Sequence, residues 1–281
     1  MSKTLNRVVL ACLGIFCGLS VTTAAAQEIV VDRDVIYYDG PDFYAPRHIL
    51  DVYRLEGSEN RPVLIFIHGG GWTSGNKSLY GFFGNAFARY GFVTVIANYR
   101  LTDGSKGSVM HPGHIRDVAR AVAWTFANIG DYGGSPEKIF ISGHSAGGHL
   151  VSLLAVDPQR LAEHGLAPSE IAGVMSLSGV YDVRNPGFAR IFGDDPAQRA
   201  DASPISHVGD AQAPPFQILF AENNLPGLGP QAVEFDRALA DLPSEEQIIE
   251  FPARTHGTII TRIAQPDDEV AAAMLDFMGA H

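Results

Sequence analysis

Lys138-Ile139-Phe140-Ile141-Ser142-Gly143-His144-Ser145-Ala146-Gly147-Gly148-His149 runs from an apolar stretch of strand length into a Gly-x-Ser-x-Gly pentapeptide. A second apolar stretch follows, from His149 to Val156. The pattern predicts strand, sharp turn, helix, which is the context in which the pentapeptide becomes a nucleophile elbow. The turn holds the serine in a strained backbone conformation. The flanking glycines leave room for neighbouring backbone, so the Ser145 oxygen stands clear of the sheet.

Outward from the elbow, His68-Gly69-Gly70-Gly71-Trp72 closes another apolar run, Val63 to Ile67. A glycine tract at a strand end lets backbone N–H groups point into a cleft. The amides of Gly70 and Gly71, with that of Ala146 after the serine, are the expected oxyanion donors, and Gly69 permits the close approach. A serine hydroxyl needs a base. His256, in Arg254-Thr255-His256-Gly257-Thr258 beyond the last expected strand, stands where such a base belongs, since catalytic loops sit at strand ends. Trp72 is expected either to line a substrate pocket or to be a core residue.

These stretches resemble the α/β-hydrolase esterases of the hormone-sensitive-lipase, feruloyl-esterase-like and kynurenine-formamidase group. The likeness includes Leu50-Asp51-Val52-Tyr53, Asn98-Tyr99-Arg100-Leu101, Tyr132-Gly133-Gly134 and Ser178-Gly179-Val180-Tyr181-Asp182, and runs to the C-terminus. It implies cleavage of small carboxylic esters, short-chain or aryl, with feruloyl or acetyl groups among the candidates. No cofactor is implied. An arylformamidase activity is the alternative within the same group.

One position departs from the family. The triad order in this fold is Ser, acid, His, and the resembling proteins carry an aspartate where Ala221-Glu222-Asn223-Asn224 places Asn224. An asparagine carbonyl can orient the imidazole but supplies no charge. Three outcomes stay open here: Glu222 or Asp182 replaces the missing carboxylate; Asn224 serves as a neutral orienter; or the chain is an impaired hydrolase that binds ligand without turnover.

The apolar runs Val63–Ile67, Val93–Ala97, Lys138–Ile141, Gly173–Leu177, Gln217–Phe220 and Gln247–Phe251 read as buried parallel strands. Helical segments are expected at Tyr80–Tyr90, His114–Ala127, Gly147–Ala155, Gln231–Leu239 and Asp267–Met278. The alternation predicts a doubly wound, mostly parallel sheet with helices on both faces. Glu28–Tyr38 and Ile49–Arg54 are expected to form an antiparallel pair leading into it, and Arg184–Pro214 a short helical excursion over the cleft.

Composition narrows the remaining choices. The 281 residues, 46% apolar, suit one domain, expected to span 27–281. Residues 1–26 read as a signal peptide: Lys3 and Arg7, then apolar Val8 to Val21, then Ala24-Ala25-Ala26 before a cut at Gln27. The apolar core is short for a membrane span, so cleavage and a secreted or periplasmic location are expected. Both cysteines, Cys12 and Cys17, lie in that leader, which leaves residues 27–281 without a thiol nucleophile or a disulfide. The net charge of −11 argues against nucleic-acid and polyanionic partners. No metal is expected: His144 and His149 flank Ser145 without a carboxylate or cysteine spaced to join them. The sequence names a small ester as partner, assigns no membrane role after cleavage, and specifies no oligomeric state.

Overall fold

The computed structural model describes residues 27–209 and 213–281; the expected leader lies outside the described residues. Among the described residues, eight strands form one sheet: β1 (Ile29–Ile36), β2 (Ile49–Leu55), β3 (Arg61–Ile67), β4 (Val93–Ala97), β5 (Gly134–His144), β6 (Gly173–Leu177), β7 (Phe216–Asn223) and β8 (Glu246–Thr255). Their order is β1-β2-β4-β3-β5-β6-β7-β8. β1 and β2 pair antiparallel, and β2 joins β4 antiparallel, as the sequence predicted for the leading pair. From β4 to β8 every pairing is parallel.

Side chains alternate across the sheet with a period of two, and the alternation divides the core cleanly. Val63, Ile65 and Ile67 of β3 face α2 (Gly113–Asn128), α3 (Ala146–Val156) and the helix Leu228–Leu239. Leu64 and Phe66 face α1 (Gly81–Arg89) and the last helix, Glu269–Ala280. Both faces of the central strands are covered, which is why those strands read as continuous apolar runs. This is the doubly wound α/β-hydrolase architecture. Among the described residues, no helix is long and apolar enough to cross a membrane.

Several strands outrun their expected limits, β3, β5, β7 and β8 among them, and the extensions of β7 and β8 build the site. β8 continues past Phe251 to Thr255 because its pairing with β7 resumes after an irregularity, setting Asn223 beside Thr255. The chain therefore leaves both strands at the same edge of the sheet, with Asn224 and His256 as the next residues. β5 likewise extends beyond Lys138–Ile141 at both ends, pairing with β3 on one side and β6 on the other.

The last helix starts two residues later than expected. Asp268 caps it by accepting the N–H groups of Val270 and Ala271, and Arg254, near the end of β8, donates to the same aspartate at 2.7 Å. Between β6 and β7 the excursion forms short helical turns, Ala189–Phe192 and Pro196–Asp201 among them. It is tied to the body by Asp201, which takes Arg160 at 2.8 Å and His111 at 2.7 Å.

Candidate active site

Ser145 sits between β5 and α3 with φ 57° and ψ −117°, a conformation that costs a non-glycine residue of order 1–3 kcal/mol. Two backbone bonds hold it there: its N–H donates to Leu177 of β6 at 2.9 Å, and its carbonyl accepts from His149 at 2.9 Å. The elbow also needs its glycines. A Cβ on Gly147 would lie 2.0 Å from the Ile67 carbonyl oxygen, and one on Gly143 would lie 2.4 Å from the Gly147 backbone.

His256 faces the serine. Its Nε2 is 2.9 Å from Ser145 Oγ, and its Nδ1 is 2.7 Å from Asn224 Oδ1. The same Oδ1 accepts the Leu225 N–H at 2.9 Å. Reversing the amide would set its NH₂ against another donor at Leu225. The carbonyl therefore points at the imidazole, Nδ1 carries the proton, and Nε2 is free to accept from Ser145. The Asn224 Nδ2 is buried with no partner among the described residues. Burial pushes His256 below the ordinary imidazole pKa, with no carboxylate to pull it back up.

The two carboxylates considered as replacements are committed elsewhere, which corrects that expectation. Asp182, just beyond β6, takes the Arg184 guanidinium at 2.9 and 2.6 Å and the Arg184 N–H at 2.9 Å. Arg184 holds its carboxyl below the usual range. Glu222, exposed at the end of β7, accepts the Ala253 N–H at 2.9 Å, at the irregularity in β8. Of the three candidates, Asn224 is the one that meets His256.

The glycine tract passes directly over the elbow. A Cβ on Gly69 would come within 3.1 Å of Ser145 Cβ. Gly70 and Gly71 have φ of +124° and +60°, a region open to glycine at little cost. The Gly69 N–H is taken by Tyr80 Oη at 3.3 Å, while the Gly70 carbonyl accepts from Thr73 and Ser74. Among the described residues, no acceptor takes the N–H of Gly70, Gly71 or Ala146. Ala146 is the first residue of α3, where helix geometry leaves N–H groups unpaired and the helix dipole is positive.

Trp72 is packed into the core. It is 4% exposed, with φ 60°, and its indole N–H donates to His149 Nδ1 at 3.2 Å. Phe192 of the excursion packs edge-on against it, ring centroids 4.9 Å apart. The core alternative for this residue is the one found. Its large apolar ring is packed where the tract turns back into the body.

The histidines flanking Ser145 have contacts that sequence reasoning missed. His144 lies against the His256 ring, centroids 4.8 Å apart, and its Nε2–H donates to the His256 carbonyl at 2.7 Å. His149 bonds through Nε2–H to the Ala202 carbonyl at 2.8 Å. Burial drives both imidazoles down to about 3, so both are neutral. The only legible signal was their presence on either side of the elbow, with no ligand set to explain them.

In chemical terms, a hydroxyl stands against an unprotonated imidazole nitrogen beside a loop with uncommitted amides. That set can pass a proton and hold a developing oxyanion. The chain is similar to known esterases. The chain is 34% identical over 225 residues to the probable carboxylic ester hydrolase LipM of Mycobacterium tuberculosis, covering 70% of this chain and 49% of that one. It is 32% identical over 254 residues to esterase LipQ of the same organism, covering 83% and 59%. The chain thus spans about half to three fifths of the length of these curated relatives. The crystal structure of esterase B from Lactobacillus rhamnosis shares the fold, with a TM-score of 0.78 at 20% identity, covering 92% of this chain and 87% of that one. The BD-FAE family matches residues 50–226, more than half of the chain and a span that contains the glycine tract, the elbow and Asn224; the chain belongs to the BD-FAE family.

Proposed function

We propose that the chain is a serine esterase that cleaves small carboxylic esters through an acyl-enzyme on Ser145. One observation carries the reading: His256 spans from Ser145 Oγ to the Asn224 carbonyl in the tautomer that a general base requires. Ser145 attacks the ester carbonyl while His256 Nε2 takes its proton. The amides of Gly70, Gly71 and Ala146 receive the oxyanion. His256 then protonates the departing alcohol, and water repeats the sequence on the acyl group. Short-chain and aryl esters, with feruloyl and acetyl groups among them, are the proposed substrates. The expected leader supports export to a secreted or periplasmic location, where such esters are met outside the cell.

The test is direct. A fluorophosphonate should label the chain, Ser145→Ala should abolish labelling, and p-nitrophenyl acetate should be hydrolysed. Absence of both labelling and hydrolysis would instead identify a ligand-binding hydrolase relative, the reading that Asn224 favours on charge alone. Faster cleavage of N-formylkynurenine than of the acetate would assign an arylformamidase.

A further inference from the structure

The elbow and the glycine tract belong to different strand ends, and a catalytic oxyanion site requires their amides to keep a fixed separation. Among the described residues, one side-chain bond joins them. Trp72 ends the tract and donates its indole N–H to His149 Nδ1 at 3.2 Å. His149 lies one turn into α3, and its backbone N–H donates to the Ser145 carbonyl at 2.9 Å. Its other ring nitrogen donates to Ala202 of the excursion at 2.8 Å. An indole N–H can only donate and a carbonyl can only accept, so both ends set the same neutral tautomer of His149.

Nothing in this chain of bonds is exposed enough for water to replace it: Trp72 is 4% accessible, and His149 and Ala202 are fully buried. Trp72 also holds a positive φ of 60°, which a bulky residue adopts only when its surroundings impose it. The Trp72 carbonyl accepts from Thr102 at 2.8 Å, and Phe192 closes the far side of the ring.

We infer that Trp72 and His149 are positioning residues that lock the oxyanion tract onto the nucleophile elbow, with Ala202 tying the excursion into the same lock. The inference rests on the esterase reading and adds what sets the reach of the Gly70 and Gly71 amides. A shift of about 1 Å in a positioned catalytic group can cost a hundredfold in rate.

The experiment compares wild type with His149→Phe, Trp72→Phe, the double variant and His149→Asn. Substrates are p-nitrophenyl esters, and the probe is a trifluoromethyl ketone, whose serine adduct needs the oxyanion donors. Each Phe variant is expected to lose roughly ten- to a hundredfold in kcat. Ketone affinity should fall in parallel, with KM changed little and the acidic limb of the pH profile unmoved. The double variant should be no worse than the poorer single one, because both remove one shared bond. His149→Asn, which keeps an acceptor, should recover part of the loss. In the Trp124→Phe background the Trp72 indole proton should be a single downfield resonance that disappears in His149→Phe.

Wild-type kcat and ketone affinity in both Phe variants would overturn the inference while leaving the esterase reading intact. So would additive losses in the double variant. Should His149→Phe fail to fold, Trp72→Phe carries the same comparison alone. A wild-type chain that neither labels with fluorophosphonate nor hydrolyses any ester overturns both readings.

Discussion

Asn224 accepts the His256 Nδ1 proton at 2.7 Å with the oxygen that also accepts the Leu225 N–H. That shared acceptor separates this site from a simple aspartate-to-asparagine lesion. In serine proteases the same exchange lowers turnover about ten-thousandfold, largely because the amide sets the wrong tautomer. Here the Leu225 amide forbids the wrong orientation, and only the negative charge is missing.

Asn224→Asp should therefore raise kcat. A charge-assisted hydrogen bond exceeds a neutral one by about 1–2 kcal/mol, which corresponds to roughly five- to thirtyfold. Steady-state kinetics on p-nitrophenyl acetate decides the matter; an unchanged or lower rate would show that the amide already provides all that the site uses.

The acidic limb of the rate profile should lie below pH 6.5. Burial lowers the His256 pKa, and a base with a lowered pKa stays neutral to more acid conditions. In Asn224→Asp the new carboxylate favours the imidazolium, so the limb should move to higher pH. A pH profile of kcat/KM for the two proteins reads both directions. A wild-type limb above pH 7 would contradict the assignment.

Stability should fall with acid well before the carboxylates titrate. Burial holds His68 and His114 at about 4, and His144 and His149 at about 3. The unfolded chain binds these protons near pH 6.5, the folded chain only near 4 or 3. The stabilisation is fully present above pH 6.5 and is lost as pH falls toward those lower values, at up to about 1.4 kcal/mol per pH unit for each histidine. Denaturant midpoints at pH 7.5 and 5 should differ clearly, and equal midpoints would refute the account.

Asp182→Asn and Glu222→Gln should leave kcat within about twofold, because surface changes away from the chemistry act weakly. Asp182 serves Arg184, and Glu222 serves the backbone of Ala253. A tenfold loss in either variant would mean that a carboxylate reaches His256 during turnover.

Much of the fold was legible because its signals are local. Val63 to Ile67 is apolar at every position since the strand is covered on both faces, and Gly143 to Gly147 admits few conformations. His256 could be named from its place after the last strand. The choice among Asn224, Glu222 and Asp182 was not legible. It depends on the irregular pairing of β7 with β8, which sets Asn223 beside Thr255, and on which cation or amide claims each carboxylate. Trp72 was ambiguous for a similar reason: its partners His149 and Phe192 lie 77 and 120 positions along the chain.

By itself, the sequence determined the doubly wound sheet, the elbow at Ser145 and the glycine tract that faces it. These follow from hydrophobic period and backbone sterics acting over a few residues. Only the tertiary structure decided that a neutral amide orients His256 and that His144 and His149 brace the two sides of the elbow. Hydrogen-bond partners, unlike turns and strands, are chosen by which chain ends the sheet brings together.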